Sequence, residues 1–340
     1  MKVGYDSRPG KEDSGVGRYT RCLLAALRAA GRGQIVETHD PRRCDAFHAP
    51  TIDGALLRSP VPMVVTLHDV IAFKHRGEYL RSGLRYRMRS LAAQRAVRVI
   101  VPTNVVADEA VEALSIPRDR LAVIPEAAAP ALRPRPDAEV EAVRSRFGLP
   151  DEYLLWVGGL RTPQPHKRVI ALARAPRQLP LVLVGAAGRW AHELPDVTLT
   201  GLVNDDQLAA IYTGAHALVS PSSDGGFGLP LVEALACGTP VVACDVPAVR
   251  EVLGDRGTLR PVDDIEGLIA AAEAAARPAP SPPAWTWEDA ANATWTVYEQ
   301  AVSAPHRWRG ARKRRPGREA PAVEAAPGRR RPTRVARPRG

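Results

Sequence analysis

Aromatic residues and cysteines are scarce in this 340-residue chain: Phe, Trp and Tyr together make up 5%, and there are four cysteines. Cys22, Cys44, Cys237 and Cys244 form no Cys-x-x-Cys pair and have no His-linked spacing, which argues against a disulfide framework and against a zinc site. Cys237 and Cys244 sit in apolar surroundings and read as small buried hydrophobes. No apolar run approaches the roughly 18 residues needed to span a bilayer. The opening Met1-Lys-Val-Gly-Tyr-Asp has no apolar h-region, so no signal peptide is expected and a cytoplasmic protein is. Lysine is rare as well, with five among 47 basic residues, so its positions carry information.

The net charge of +10 is not spread evenly. Residues 306–340 hold thirteen of the 47 basic and two of the 37 acidic residues, leaving 34 against 35 for residues 1–305. The body is thus nearly neutral. The segment 306–340 is rich in Arg, Pro, Ala and Gly and reads as a disordered basic tail. Such a tail can attract polyanions, but a solvated extension with no specific nucleic-acid partner is the expectation.

Short apolar runs alternate with helical patterns. Strands are predicted at 1–5, 35–38, 46–48, 61–67, 98–101 and 121–124, and again at 153–157, 181–184, 197–200, 217–219 and 240–243. Helices are predicted at 18–30, 104–114, 139–147, 169–174, 206–213, 231–236, 265–276 and 287–302. Strands separated by helices imply parallel sheets covered on both faces. The expected class is α/β with two doubly wound Rossmann-like domains, residues 1–140 and 150–284, joined by a Pro-containing linker across 125–150 and followed by a helix at 285–303. Ligands of such sheets bind at the carboxyl ends of the strands.

The stretch Ala217–Asp245 carries the densest chemistry. It reads as strand, glycine loop, helix, turn and strand. Gly225, Gly226 and Gly228 allow a sharp backbone turn, Pro230 suits a helix start and Gly238 a helix end. A glycine loop feeding a helix N-terminus presents free N–H groups to an anion, phosphate above all. Glu233 is placed in the first turn, either to accept hydroxyl protons from a ribose or sugar, or merely to complement the helix dipole.

Ser223-Asp-Gly-Gly-Phe-Gly-Leu-Pro-Leu-Val-Glu-Ala-Leu-Ala-Cys-Gly-Thr-Pro-Val-Val242 resembles the donor-binding signature of the retaining GT-B glycosyltransferases of family 4. The resemblance extends over roughly 1–303. It implies a GT-B fold with two domains facing a cleft, the helix at 285–303 crossing back to the first. It also implies that Glu233 binds the donor ribose, and that the loop of Gly226, Phe227, Gly228 and Leu229 holds the donor. The family's first glutamate, which contacts the transferred sugar, falls on Gly225, with Asp224 one place earlier as the candidate substitute.

Gly158-Gly-Leu-Arg161, followed by Thr-Pro-Gln-Pro-His-Lys167, leaves a strand end. Lys167 is either a plain loop lysine or a point charge for phosphate. The resemblance favours the second, with Lys167 and Arg161 on the donor diphosphate. Asp13-Ser-Gly-Val-Gly-Arg-Tyr-Thr20 is a weak Gly-x-Gly by itself. Thr20 stands where a dinucleotide fingerprint needs its third glycine, which disfavours a nicotinamide enzyme. It is similar to the family's Gly-Ile-Gly-Arg-Tyr loop, which places Gly15 and Gly17 near the donor phosphates. His68, in Thr66-Leu-His-Asp-Val70, ends a strand and reads as a packing residue or as a cleft residue. The resemblance sets it beside the transferred sugar.

Residues 73–98 hold eight Lys or Arg and a lone Glu78 as acid. They read either as a solvated face or as a basic face for anionic lipid at the inner side of the cell membrane. The resemblance implies a nucleotide-diphosphate sugar as co-substrate, no separate cofactor, no required metal, retention of configuration, and a glycan or lipid-linked acceptor. Two other readings stand beside it. One is a nucleotide-sugar-binding scaffold without catalysis; the other is nucleic-acid binding through the tail.

Overall fold

The computed structural model describes residues 1–74 and 83–304, the side chains of 83–87 excepted. The basic tail at 306–340 and much of the basic 73–98 face lie outside these residues. The first half runs β1 (Lys2–Tyr5), α1 (Gly15–Ala29), β2 (Gln34–Glu37), β3 (Ala46–Ala49), β4 (Met63–Thr66), α2 (Ile71–Lys74), α3 (Gly83–Gln94), β5 (Arg98–Val101), α4 (Asn104–Leu114) and β6 (Leu121–Val123). Its strands form a parallel sheet in the order β2-β1-β3-β4-β5-β6.

The second half continues with α5 (Asp137–Phe147), β7 (Leu154–Val157), α6 (Val169–Arg174), β8 (Leu181–Val184), β9 (Val197–Gly201), α7 (Asp205–Gly214), β10 (Ala217–Ser220), α8 (Leu229–Ala236), β11 (Val241–Cys244), α9 (Pro247–Leu253), β12 (Thr258–Arg260), α10 (Ile265–Glu273) and α11 (Trp287–Ser303). Its sheet is again parallel, in the order β12-β11-β10-β7-β8-β9. Strands β3, β4, β8 and β11 are buried at every residue, as helices on both faces require.

Several boundaries move for local reasons. Helix α1 begins at Gly15, not Arg18, because the Ser14 side chain accepts from Gly17 N–H at 3.1 Å and caps it. The Gly15–Gly17 segment that reads as a loop is therefore the first turn of a helix. A Cβ on Gly17 would overlap the Glu12 carbonyl, so the glycine serves the tight return of the preceding turn. Helix α8 begins at Leu229, two residues before the expected start. Gly228 supplies its N-cap in a left-handed conformation, φ 85° and ψ 60°. Glu233 thus falls in the second turn rather than the first. The 125–150 stretch, read as a linker, carries Ala129, Leu132 and Leu149 into the core of the second sheet. Helix α9 and the three-residue edge strand β12 had no prediction; β12 lacks an apolar run to mark it.

Helix α11 packs on the first sheet. Trp295 and Tyr298 are fully buried with Val3, Tyr5 and Leu27, and Trp295 Nε1–H donates to the Leu27 carbonyl at 3.2 Å. Phe227 and Leu229, from the second half, enter this same cluster. The two halves therefore share apolar core at the glycine loop.

Candidate functional site

The carboxyl ends of both sheets meet around the glycine loop. Beyond β4, the His68 ring has acceptors on both sides: Nδ1 faces Glu126 Oε1 at 3.0 Å and Nε2 faces the Pro50 carbonyl at 2.9 Å. Two acceptors flanking the ring favour its protonated form, in which both nitrogens donate. Burial alone would lower its pKa, but the Glu126 carboxylate and the Pro50 carbonyl outweigh it and raise the value above 6.5. Tyr19 packs edge-on against the ring, 4.6 Å between centroids, and its hydroxyl meets Thr66 Oγ1 at 3.0 Å. Thr66 in turn meets His48 Nε2, and His48 Nδ1 meets the Tyr298 hydroxyl. With both nitrogens engaged, His68 offers no free base.

A cavity of about 110 Å³ opens beside it, lined by Val16, Thr51, His68, Asp69, Phe73 and Arg89 among others. Asp69 caps the four-residue α2, its Oδ1 accepting the Ile71 N–H at 3.0 Å.

The glycine loop closes onto this edge. A Cβ on Gly226 would overlap the His68 carbonyl oxygen, and Thr103 Oγ1 donates to the Gly226 carbonyl at 3.1 Å. Among the described residues, the N–H groups of Gly226, Phe227 and Gly228 have no acceptor. The Phe227 and Leu229 side chains point into the shared core, so only their backbone is left for a ligand. Asp224 is occupied: Lys74 Nζ lies 3.2 Å from each of its oxygens, and Gly225 N–H donates to it at 2.8 Å. Lys74 also pairs with Glu109.

Glu233 is buried, 2% exposed. It accepts the Tyr212 hydroxyl at 3.1 Å on one oxygen. The other, Oε1, stands 3.1 Å from Arg18 Nε in ion-pair contact but off the hydrogen-bonding direction, and has no hydrogen bond. Arg18 reaches from α1 and also pairs with Asp205 at 2.9 Å, while its Nη1 is buried without an acceptor. Burial raises the Glu233 carboxyl above its ordinary value, with Arg18 and the Tyr212 hydroxyl pulling it back. Arg18 lay within a motif singled out in the sequence, but a lone arginine after Gly-x-Gly gives no sign of reaching a glutamate 215 positions away.

Lys167 ends a single-turn 3₁₀ segment, Pro165–Lys167, tied to the loop before Asp224 by the Ser223 N–H donating to the His166 carbonyl at 2.8 Å. Its amine lies 6.0 Å above the Trp156 ring and has no ion-pair partner among the described residues. Burial lowers its pKa, with Asp69 opposing. Arg161 is 71% exposed and faces Asp13 at 3.6 Å, so it stands at the rim. Gly15 is exposed with open space around it. Lys167, Gly226, His68 and Asp69 are therefore neighbours, Glu233 and Arg18 lie behind the loop, and Arg161 and Gly15 lie at the edge. Among the described residues no group of three His, Cys, Asp or Glu converges as metal ligands, and no helix is long and apolar enough to cross a membrane.

Two family models match in series: Glycosyltransferase Family 4 over residues 14–131 and Glycosyl transferases group 1 over residues 151–277. Among curated relatives, the O-antigen chain mannosyltransferase B of Escherichia coli is 28% identical over 229 residues, covering 61% of this chain and 59% of the relative. The D-inositol 3-phosphate glycosyltransferase of Mycolicibacterium smegmatis is 31% identical over 261 residues, covering 66% and 58%. The chain thus spans less than two thirds of the length of these relatives. Among solved structures, Anabaena HepE in complex with UDP-glucose superposes with a TM-score of 0.61 at 18% identity, covering 89% of this chain and 98% of that one. WaaG, a glycosyltransferase involved in lipopolysaccharide biosynthesis, superposes at 0.62 with 14% identity, covering 89% and 95%. Two parallel six-stranded sheets meeting at a glycine loop, matched by both family models in order, make this chain a member of the group 1, family 4 glycosyltransferases of GT-B fold.

Proposed function

We propose that the protein transfers a hexose-type sugar from a nucleotide-diphosphate sugar to a hydroxyl of a glycan or lipid-linked acceptor, with retention and without a required metal. The observation that carries this reading is the set of unsatisfied groups along one loop. Among the described residues, a lysine without an ion pair, three N–H groups without acceptors and a buried carboxylate oxygen without a hydrogen bond lie in or beside Gly225–Leu229. Buried polar atoms are rarely left without a partner, so such a cluster is a natural place for a ligand.

In this reading Lys167 and the Gly226–Gly228 N–H groups hold the diphosphate, with Arg161 closing from the rim. Glu233 Oε1 accepts a ribose hydroxyl once Arg18 yields space. The bond from the anomeric carbon to the diphosphate oxygen breaks and its electron pair leaves with the diphosphate. The acceptor oxygen bonds to the anomeric carbon from the same face, and its proton passes to the departing diphosphate. Positive groups arranged in advance around that charge lower the barrier. His68, when protonated, adds positive charge at the sugar side.

Thermal stability measured against UDP-, GDP-, ADP- and dTDP-sugars, for the wild type, Lys167→Ala and Glu233→Ala, tests the donor site. One nucleotide class should stabilise the wild type and neither variant. No shift from any class rejects the reading. A second reading, donor binding without turnover, draws on Gly225, where the family's sugar-contacting carboxylate is absent. Release of nucleoside diphosphate under multiple-turnover conditions separates the two.

A further inference from the structure

We infer that Asp69 supplies the carboxylate that meets the transferred sugar, in the place left without a side chain at Gly225. This rests on the donor-site reading above.

Glycine at 225 is not demanded by the fold. Its φ is not positive, and a Cβ built there meets nothing within 4 Å. The space a longer side chain would use is open. Asp224, the neighbouring candidate, is turned away from it: both carboxylate oxygens face Lys74, and one also accepts the Gly225 N–H.

Asp69 approaches from the opposite half. It lines the same cavity as His68, and its Cβ lies 3.3 Å from where a Cβ on Gly226 would stand. One oxygen caps α2; the other has no hydrogen bond or ion pair among the described residues. The nearby Lys167 amine feels Asp69 as the charge that opposes its desolvation. A carboxylate with one free oxygen, one residue from His68 and across from the phosphate-facing lysine, suits sugar hydroxyls as hydrogen-bond donors. The glutamate's role has thereby crossed the cleft, from the second half to the first.

The test uses the full chain and four proteins: wild type, Asp69→Asn, Asp224→Asn, and Asp69→Asn combined with Gly225→Glu. Asparagine keeps the cap on Ile71 N–H, so the helix start is preserved. Two quantities are measured: calorimetric affinity for UDP, GDP, ADP and dTDP, and release into water of the diphosphate that binds from its glucose or mannose donor. Asp69→Asn should slow release about 100-fold. Nucleoside diphosphate affinity should hold or tighten, because a negative charge beside Lys167 is gone. Asp224→Asn should retain release within a few fold, and Gly225→Glu should restore at least tenfold of what Asp69→Asn lost. The inference is overturned if Asp69→Asn releases diphosphate at the wild-type rate, or if release and diphosphate affinity fall together. It is likewise overturned if Asp224→Asn alone abolishes release. A wild type that binds none of UDP, GDP, ADP and dTDP rejects the donor reading beneath it and the inference with it.

Discussion

Gly226 rests against the main chain of His68, so closely that no side chain fits between them. The contact joins the carboxyl edge of one sheet to the glycine loop of the other, and Thr103 reinforces it through the Gly226 carbonyl. Gly226→Ala should therefore force the loop off β4 and cost about 2 kcal/mol, the usual scale of overpacking. Gly225→Ala, with open space around it, should be neutral within about 0.5 kcal/mol. Urea unfolding of the two variants side by side checks the contrast.

Lys167 and Arg161 should differ sharply as phosphate ligands. Lys167 has no competing ion pair among the described residues, whereas Arg161 is mostly solvated and shares Asp13. Loss of a charged hydrogen bond is worth about 1.5–3 kcal/mol, so Lys167→Ala should weaken nucleoside diphosphate binding roughly 10- to 100-fold. Arg161→Ala should weaken it less than about fivefold, as exposed pairs do. Isothermal titration in low and moderate salt measures both.

Arg18 compensates a buried carboxylate from across the cleft. Arg18→Met should leave Glu233 charged and unpaired, at a cost on the order of 3 kcal/mol. Adding Glu233→Gln to Arg18→Met should recover most of that loss, because the uncompensated charge is removed. Denaturant midpoints of the wild type, both single variants and the double variant give the coupling.

Two histidines should shape the pH dependence of stability with opposite signs. His48 is fully buried between Thr66 and Tyr298, and burial first, then His68, pushes its pKa from 6.5 down to about 3. The unfolded chain binds that proton at a higher pH than the folded one. The stability it contributes is present above pH 6.5 and is lost as pH falls from 6.5 toward 3, at up to about 1.4 kcal/mol per pH unit. His68 is raised above 6.5, so its contribution is complete below 6.5 and fades as pH rises through the raised value. Melting temperatures across pH 4–9, about the usable range, should lose their acid-side slope in His48→Asn and their alkaline-side slope in Glu126→Gln.

Helix α11 should be indispensable to the first half. Trp295→Ala removes a fully buried indole and its bond to Leu27, and should destabilise by about 3–5 kcal/mol. Thermal melting of the full chain records the effect.

The order of strands and helices was legible in the sequence because each buried parallel strand is an unbroken apolar run, Leu181–Val184 and Val241–Cys244 being plain cases. The glycine loop before α8 was legible because glycine spacing and a following helix are local features. Helix starts were less so: Ser14 and Gly228 act through capping geometry that an apolar period does not report. Lys167 could be picked out as a rare lysine past a strand end, but not as a cation without an ion pair among the described residues. Phe227 and Leu229 read as part of the donor loop, yet their side chains complete the core of the other half.

By itself, then, the sequence determined the α/β class, the family and the position of the glycine loop, since these depend on residues close together in the chain. Tertiary structure alone decided which charges meet. Arg18 with Glu233, Lys74 with Asp224 and Asp69 beside Gly226 are pairs distant in sequence that the facing of two sheets brings within a few ångströms, and the order of strands in the first sheet does the same for His68 with Glu126. Electrostatic energy depends on that separation and on burial, and neither is written in the order of the residues.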